Sequence, residues 1–333
     1  MYPLRFEPLF RHYLWGGRRL AEVLDKPIGN EIAAESWEVV DHQDDQSIVR
    51  FGELAGSSLR QLIADSGEDL LGKPLLDRIS SPDLPKHLQK RFPLLLKFLD
   101  ANRHLSVQVH PDDQFGATLD PPDLGKTEAW YVMHADPGAK IYAGLKKGVT
   151  QASFQQAIEL NEIESTLHSF EPKQGDCVFI RAGTIHAIGE GLLIAEIQQA
   201  SNTTFRVYDW GRVDTDGQPR PLHIDQAIAA TNFELGPVAP ETTTPTDDPN
   251  WKSIVSCEKF QMSQGKLTQP SQVGGDGRFR ILAVTDGAVS IAGDPSGLAM
   301  NLGNTVLLPA CLGPTQVTPG PNGVDLLEIV VPE

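Results

Sequence analysis

The stretch LSVQVHPDD, residues 105–113, contains two side chains that can bind a metal ion, Gln108 and His110, separated by one residue. Its alternation of apolar and polar residues is typical of a β-strand. In a strand, residues i and i+2 point to the same face, so we expect the amide and the imidazole to lie together while the leucine and valines face away. Such a polar face is either an exposed sheet surface or the lining of a cavity.

Two further residues extend this set of candidate ligands. Glu128 lies in GKTEAWYVM, where AWYVM is typical of a strand, and His186 follows the strand and turn of GDCVFIRAGTI. With Gln108 and His110 they would form a mixed nitrogen and oxygen site, which suits zinc and also accepts iron, manganese or cobalt. Taken singly, each of these residues is more often an ordinary structural residue. Their joint occurrence indicates a metal site.

Three polar residues in neighbouring segments fit the same cavity. Lys97 interrupts the apolar run FPLLLKFLD (92–100), and an unpaired lysine buried there would be costly, so a pocket position is favoured. Ser106 lies on the same strand face as the glutamine and histidine. Lys126 shares a face with Glu128 across one intervening residue. The plainer alternatives are a simple salt bridge between Lys126 and Glu128 and an ordinary polar strand position for Ser106.

The composition limits the class of protein. The chain has 333 residues, of which 40% are hydrophobic, enough for two domains or for one large domain with an appendage. The 25 prolines and 30 glycines favour a turn-rich β architecture over a helix bundle. A net charge of -16 makes nucleic acid and anionic membranes poor partners, and a phosphorylated substrate would need a locally basic pocket.

The sequence gives no sign of secretion or membrane insertion. The amino terminus has no apolar run of signal-peptide length, and no stretch approaches about 18 consecutive apolar residues. The three cysteines, Cys177, Cys257 and Cys311, are far apart and lack C-x-x-C spacing. This argues against a disulfide framework and against a thiolate zinc site. We therefore expect a cytoplasmic protein.

The pattern along the chain indicates a mainly β protein with helical additions. Residues 59–92 have leucines and isoleucine at helical spacing, with a break at Ser80-Ser81-Pro82-Asp83 that could cap another short helix, whereas residues 92–100 are typical of a buried strand. Most of the remainder consists of short strands between Gly, Pro, Asp and Asn, as in a β-sandwich or barrel. The segment GPVAPETTTPTDDPN, residues 236–250, lacks periodicity and is predicted to be a linker.

An internal repeat supports division at this linker. GDCVFIRAGTIHAI starts at Gly175 and GNTVLLPACLGPTQV at Gly303, and both combine a glycine, a short apolar strand and a turn. Both resemble the second motif of cupin barrels, G-x5-P-x-G-x2-H. The first copy has Arg181 in place of the proline, and the second keeps Pro309 but lacks the histidine. We interpret this as two cupin-like barrels (double-stranded β-helix, jelly-roll), of which only the N-terminal one binds metal.

A larger set of motifs resembles the type I phosphomannose isomerases (mannose-6-phosphate isomerases) of the short bacterial kind, within the cupin superfamily. The resemblance covers residues 1–235 well and the remainder only weakly. The carrying stretches are YLWGGRRLAE (13–22), AAESWEV (33–39), FPLLLKFLDA (92–101), LSVQVHPDD (105–113), GKTEAWYV (125–132), RAGTIHAI (181–188) and IAEIQQASNTTFRVYDWGR (194–212).

The resemblance implies a role for each matched residue. It implies one Zn²⁺ or other divalent ion per chain, held by Gln108, His110, Glu128 and His186. It places the active-site arginine at Arg206 and acidic residues at Glu196 and Glu35. It implies that Lys97, Ser106 and Lys126 line the sugar-phosphate pocket.

The resemblance also implies an arrangement of domains. Residues 1–235 would be the catalytic cupin domain, with residues 59–92 as the remnant of a larger helical insertion in longer members. Residues 236–250 would be the linker, and residues 251–333 would form a smaller C-terminal cupin-like β domain without metal ligands. The protein would act as a monomer or a weak homodimer.

The implied reaction interconverts mannose 6-phosphate and fructose 6-phosphate through a cis-enediolate. A Lewis-acid metal and a guanidinium such as that of Arg206 would stabilise the negative charge on O1 and O2. A carboxylate must move the proton between C1 and C2, and either Glu196 or Glu35 fits that role. The alternatives are another metal-dependent cupin enzyme, such as a dioxygenase, and a non-catalytic cupin that binds sugar phosphates.

Overall fold

The computed structural model describes residues 1–213 and 217–332, and most of its regular structure is β-sheet, as the sequence predicts. The helices are α1 (Arg19–Glu22), α2 (Leu59–Leu71), α3 (Lys73–Ile79), α4 (Asp113–Gly116), α5 (Gln151–Glu159) and α6 (Ile224–Ala230), with a 3-10 turn at Ile163–Thr166. The strands are β1 (Leu9–Arg11), β2 (Glu35–Val39), β3 (Asp41–His42), β4 (Asp45–Gln46), β5 (Leu94–Ala101), β6 (Val107–Val109), β7 (Glu128–Ala135), β8 (Ile141–Leu145), β9 (Leu167–Phe170), β10 (Cys177–Ile180), β11 (His186–Ile188), β12 (Leu192–Gln199), β13 (Phe205–Tyr208), β14 (Thr244–Pro245), β15 (Trp251–Ser256), β16 (Gln261–Leu267), β17 (Ser271–Val273), β18 (Arg280–Ile291), β19 (Met300–Asn301), β20 (Thr305–Leu308) and β21 (Thr315–Val330).

The central sheet has the strand order β1-β2-β5-β12-β7-β10 and is covered on both faces. Alternate residues of β5 point to opposite sides. Leu94, Leu96 and Phe98 join a core shared with the C-terminal part of the chain, while Lys97 and Leu99 face the other way. A strand covered on both sides needs apolar side chains in both directions, which explains the nearly continuous apolar run of β5.

The outer sheet has the order β13-β6-β11-β8-β9 and lies against one face of the central sheet. On its far side, Val107 and Val109 pack with Phe154 of α5 and Ala227 of α6. The side chain of Gln108 points to the opposite side and lines a cavity between the two sheets. The alternation predicted for β6 is therefore confirmed, and its polar face lines a cavity instead of an exposed surface.

The C-terminal sheet has the order β14-β15-β16-β21-β18-β19, with β17 beside β21 and β20 beside β18. Phe260 and Met262 share one core with Phe98 of the central sheet. Across the same interface, Gln264 Nε2 donates a hydrogen bond to Tyr131 Oη at 2.8 Å. The C-terminal sheet thus covers the face of the central sheet that points away from the cavity.

The helical segment is shorter than the sequence pattern indicates. We predicted helical structure over residues 59–92, but α2 and α3 end at Ile79. Ser58 caps the start of α2 by accepting a hydrogen bond from a backbone N–H. Beyond Ile79, Pro82 and Pro85 supply no backbone N–H and disfavour helix in the residues before them. The predicted break at residues 80–83 is therefore confirmed, but the expectation of a further short helix before β5 was wrong, because these residues form turns.

Both copies of the internal repeat form a strand after a glycine. Gly175 precedes β10 with φ of 91°, and Gly303 precedes β20 with φ of 81°. These positive φ values favour glycine, which explains why it begins both copies. Only the first copy continues into a histidine, His186 at the start of β11.

In the described ranges, no helix has the length and apolarity needed to cross a lipid bilayer.

The shared core gives a test of how the C-terminal sheet contributes to stability. Phe260 is fully buried in it and contacts the ring of Phe179, with centroids 6.3 Å apart. We expect Phe260→Ala to lower the free energy of unfolding by roughly 3–5 kcal/mol, because it removes a buried aromatic ring and leaves a cavity. Urea denaturation measures this change. The control Leu298→Ala, at a side chain that is 60% exposed, should shift it by only about 0.5 kcal/mol or less.

Candidate active site

A cavity of about 310 Å³ lies between the central and outer sheets. All ten residues that the sequence analysis assigned to the site lie in or beside it. His110 and His186 are buried behind its wall, next to Glu128. The other eight line the cavity: Glu35, Lys97, Ser106, Gln108, Lys126, Glu128, Glu196 and Arg206.

The register of the two sheets explains how residues distant in the chain meet here. In the central sheet, Glu196 of β12 lies directly opposite Lys97 of β5. In the outer sheet, Gln108 of β6 pairs with His186 of β11 on one side and with Arg206 of β13 on the other. Each sheet therefore presents a row of polar side chains to the space between them.

Two histidines and one glutamate converge at one side of the cavity. One possible ligand atom from each of His110, Glu128 and His186 lies within 4.8 Å of the others. Glu128 Oε2 is 3.6 Å from His110 Nε2, and Glu128 Oε1 is 3.5 Å from His186 Nε2. All three side chains are about 1% exposed, so the cluster is held by the packed interior.

The orientation of both imidazoles fits a metal site. The Nδ1 atom of His110 lies 2.9 Å from the Thr203 carbonyl oxygen, and that of His186 lies 2.9 Å from the Thr184 carbonyl oxygen. A carbonyl only accepts, so each Nδ1 carries the proton and each Nε2 keeps a lone pair directed at the cluster. Burial lowers the pKa of His186 to about 4, and burial together with the Lys126 charge lowers the pKa of His110 well below its ordinary value. Two neutral imidazoles and a carboxylate suit zinc and related divalent ions.

Gln108 is adjacent to this cluster. Its Nε2 lies 3.3 Å from His186 Nε2, and its Oε1 accepts a hydrogen bond from Ser106 Oγ at 3.1 Å. A half-turn of the amide exchanges its oxygen and nitrogen, which would direct the oxygen at the cluster. Gln108 is therefore in reach of a fourth ligand position.

Two lysines and three carboxylates form a charge network beside the histidines. Lys97 Nζ lies 3.1 Å from Glu196 Oε1 and 3.5 Å from Glu35 Oε1. Lys126 Nζ lies 2.7 Å from Glu128 Oε2 and 3.5 Å from Glu196 Oε1. The salt bridge between Lys126 and Glu128 is thus present, but as part of a network that includes Glu196. Buried charges of this kind are tolerated because they are paired.

Burial and these pairs set the protonation of the network. Burial opposes the positive charge of Lys97, but Glu196 and Glu35 outweigh it and raise the pKa of Lys97 above its ordinary value. Burial likewise opposes the negative charge of Glu196, but Lys97 and Lys126 hold the pKa of Glu196 below its ordinary value. Burial and the charge of Glu196 raise the pKa of Glu128 to about 7. Glu196 is therefore an ionised carboxylate at neutral pH.

Arg206 reaches the cavity together with Arg220, which the sequence analysis missed. Arg206 Nη1 donates to the Pro221 carbonyl at 2.9 Å, and its buried Nε has no hydrogen-bond partner within the described residues. Arg220 Nε donates to Asp209 Oδ2 at 2.8 Å, and Arg212 also donates to Asp209. One carboxylate thus binds two guanidiniums. No sequence signal marked Arg220, because it lies in a loop without a regular pattern.

Other lining residues were also missed as site residues. Tyr13, Trp15, Asn202 and Thr204 line the cavity, and each lies in or next to a matched motif. Trp130 contacts the ring of His186 edge-on, with centroids 5.3 Å apart. Tryptophan is more often a packed core residue, so residue type alone could not identify Trp15 and Trp130 as lining residues.

Comparison with known proteins agrees with this geometry. Residues 4–135 match the phosphomannose isomerase type I catalytic domain. The mannose-6-phosphate isomerase ManA of Bacillus subtilis is 32% identical over 315 residues, covering 93% of this chain and 94% of ManA. The mannose-6-phosphate isomerase of Streptococcus mutans is 38% identical over 226 residues, covering 68% of this chain and 66% of the relative.

The fold agrees with this relationship. The crystal structure of the mannose 6-phosphate isomerase from Bacillus subtilis superimposes with a TM-score of 0.85 at 27% identity, covering 99% of each chain. The match therefore includes the C-terminal sheet, where the sequence resemblance is weak. On the sequence match to ManA over nearly the whole of both chains, the protein belongs to the type I phosphomannose isomerase family.

Proposed function

We propose that this chain interconverts mannose 6-phosphate and fructose 6-phosphate by aldose–ketose isomerisation. The observation that carries the proposal is the convergence of His110, Glu128 and His186 at the wall of a cavity that also holds Lys97 and Glu196. Family membership and the names of the relatives support the substrate. The charge network supports the chemistry, because isomerisation needs both a proton carrier and stabilisation of an enediolate.

We propose that His110, Glu128 and His186, with Gln108 as a fourth ligand, hold one Zn²⁺ or another divalent ion per chain. The tautomer fixed on both histidines supports this assignment. When bound, such an ion supplies Lewis-acid stabilisation of negative charge on the substrate oxygens O1 and O2.

Glu196 is our candidate for the residue that moves the proton between C1 and C2. It lines the cavity, it is only 3% exposed, and two lysines keep it ionised, so it can accept a proton from a bound sugar. Glu35 also lines the cavity, but it accepts a hydrogen bond from Trp37 Nε1 at 2.5 Å and pairs with Lys97. These contacts suit a residue that orients Lys97. We therefore favour Glu196 over Glu35 as the proton carrier.

The phosphate and the sugar need separate cationic contacts. Lys97 and Lys126 are each paired with carboxylates, so we propose that they and Ser106 contact the sugar-phosphate chain near the reacting carbons. Arg206 and Arg220 lie at the same cavity. Burial lowers the pKa of Arg206 most, and the positive charge of Arg220 lowers it further. Two neighbouring guanidiniums with spare donors suit a phosphate dianion, which guanidinium groups bind with two hydrogen bonds.

The wider organisation follows the same proposal. We propose two cupin-like barrels, with the metal site in the N-terminal barrel (residues 1–235), residues 236–250 as the linker, and a metal-free C-terminal β domain after it. We also propose that the protein acts in the cytoplasm on a small sugar phosphate, as a monomer or a weak homodimer, and not on nucleic acid or a membrane.

A coupled assay for fructose 6-phosphate formed from mannose 6-phosphate tests the function. Activity should be lost after treatment with a chelator and return when zinc is added. The reason is that the proposed ligand side chains do not themselves stabilise negative charge on O1 and O2, whereas the bound ion does. A protein that carries its full complement of metal and still forms no fructose 6-phosphate would exclude this substrate. Manganese and cobalt, added in place of zinc, identify which ions support turnover.

A further inference from the structure

The orientation of His110 depends on a segment that belongs to no sheet. Its Nδ1 donates to the carbonyl of Thr203, which lies between the end of β12 at Gln199 and the start of β13 at Phe205. Residues 201–204 have no regular secondary structure. Backbone pairing therefore does not hold this carbonyl in place, and another contact must do so.

Asp123 makes that contact. Its Oδ2 accepts hydrogen bonds from Ser201 Oγ at 2.9 Å and from Thr203 Oγ1 at 2.8 Å, and its Oδ1 accepts from the N–H of Leu124 at 2.9 Å. Burial opposes the charge of Asp123, but His42, Thr203 and Ser201 hold its pKa below the ordinary value. Asp123 is therefore a charged acceptor, and its bonds to the two hydroxyls are stronger than bonds between neutral groups.

Asp113 ties the same turn to the strand that carries Glu128. Its Oδ1 accepts from Gln199 Nε2 at 2.9 Å and from the N–H of Gly125 at 2.8 Å. The other end of the Gln199 amide accepts from the N–H of Thr127 at 3.1 Å, directly before Glu128. Asp113 also pairs with Lys259, which precedes β16 of the C-terminal sheet, at 2.6 Å.

We propose that Asp113 and Asp123 form a carboxylate clamp that positions the metal-binding side chains without touching metal or substrate. Asp123 acts on His110 through Thr203, and Asp113 acts on Glu128 through Gln199 and Thr127. The clamp joins three segments: residues 110–113, 123–128 and 199–203. This inference rests on the metal site proposed above; the effect on metal affinity can be measured whether or not mannose 6-phosphate is the substrate.

The test compares three variants at the Asp123–Thr203 contact. Asp123→Ala should weaken zinc binding by about 10–100-fold, the usual cost of losing a group that orients a metal ligand. Thr203→Val keeps the carbonyl and the branched shape but removes the hydroxyl, so it should weaken binding by a smaller factor. Thr203→Ser restores a hydroxyl and should bind zinc nearly as well as the natural protein. Competition with a chromophoric chelator measures zinc affinity, with kcat and KM measured alongside.

The combination of variants distinguishes positioning from general stability. If the hydroxyl acts through Asp123, the double variant Asp123→Ala/Thr203→Val should bind zinc no worse than Asp123→Ala alone. Asp294→Ala is the matched control, because Asp294 also accepts hydrogen bonds from a serine hydroxyl and a backbone N–H, at Ser296. It should lower the melting temperature and leave zinc affinity unchanged.

Two results would overturn the clamp. One is a zinc affinity of Asp123→Ala equal to that of the wild-type protein, whatever the melting temperature of the variant. The other is equal loss of affinity in Asp123→Ala and Asp294→Ala, which would make the effect one of general stability. If the natural protein binds zinc but does not isomerise mannose 6-phosphate, the proposed function fails while the positioning role stands or falls on the affinities alone.

Discussion

Replacement of His186 by alanine should lower kcat/KM for mannose 6-phosphate by about 10³-fold or more, because Lewis-acid stabilisation worth several kcal/mol is lost with the metal. His186 is about 1% exposed, its Nδ1 is fixed by the Thr184 carbonyl, and its Nε2 faces Glu128 at 3.5 Å. No other described histidine besides His110 lies in the cluster, so we expect no substitute ligand. Metal content by mass spectrometry should fall together with activity in the coupled assay.

A half-buried histidine outside the cluster, His168, provides the comparison for this variant. His168→Ala removes an imidazole from β9, on the part of the outer sheet farthest in strand order from β13. It should leave both metal content and kcat/KM near their natural values. Full zinc content with normal turnover in His186→Ala would remove this histidine from the proposed ligand set.

The local patterns of the sequence predict much of this fold. The alternation around Gln108 and the apolar run around Lys97 both correspond to strands, because side-chain direction in a strand follows directly from position. The order of strands within the sheets was not predictable in the same way. It depends on which distant segments pair, and β12 pairs with β5 across nearly a hundred residues of chain.

The length of the helical segment shows the limit of periodicity. Leucines continue after the predicted break at residues 80–83 at spacings that suit a helix, yet Pro82 and Pro85 disfavour the further helix expected there. Periodicity reports which side chains are apolar, whereas proline removes the backbone N–H that a helix needs. The second property decided the structure.

The site separates into predictable and unpredictable parts for a physical reason. Glu128 and Lys97 lie on strands and His110 directly follows β6, all within specific motifs, and the family resemblance identified them. Arg220 and Asp123 lie in irregular loops, and their roles depend on contacts with residues distant in sequence. A carboxylate in a loop is ordinarily solvated, so only the three-dimensional contacts reveal that Asp123 holds Thr203.

The second large effect concerns the proton carrier. Glu196→Gln should lower kcat by about 10²–10⁴-fold, the usual contribution of a positioned acid or base. The amide keeps the size of the side chain but cannot accept the proton. Zinc content should stay near the natural value, because Glu196 is not in the ligand cluster. This combination distinguishes the variant from His186→Ala, in which metal and activity fall together.

Glu35→Gln is the matched comparison, since both glutamates contact Lys97 from opposite sides, at 3.1 Å and 3.5 Å. Each variant removes one negative charge beside Lys97, so a loss due only to the altered charge balance should appear in both. A loss of proton transfer should appear in Glu196→Gln alone.

Exchange of the C2 hydrogen of mannose 6-phosphate with deuterated water, followed by NMR, reports the proton-transfer step directly where the carrier equilibrates with solvent. If exchange stops in Glu35→Gln and continues in Glu196→Gln, the roles are reversed: Glu35 carries the proton and Glu196 serves to fix Lys97 and Lys126.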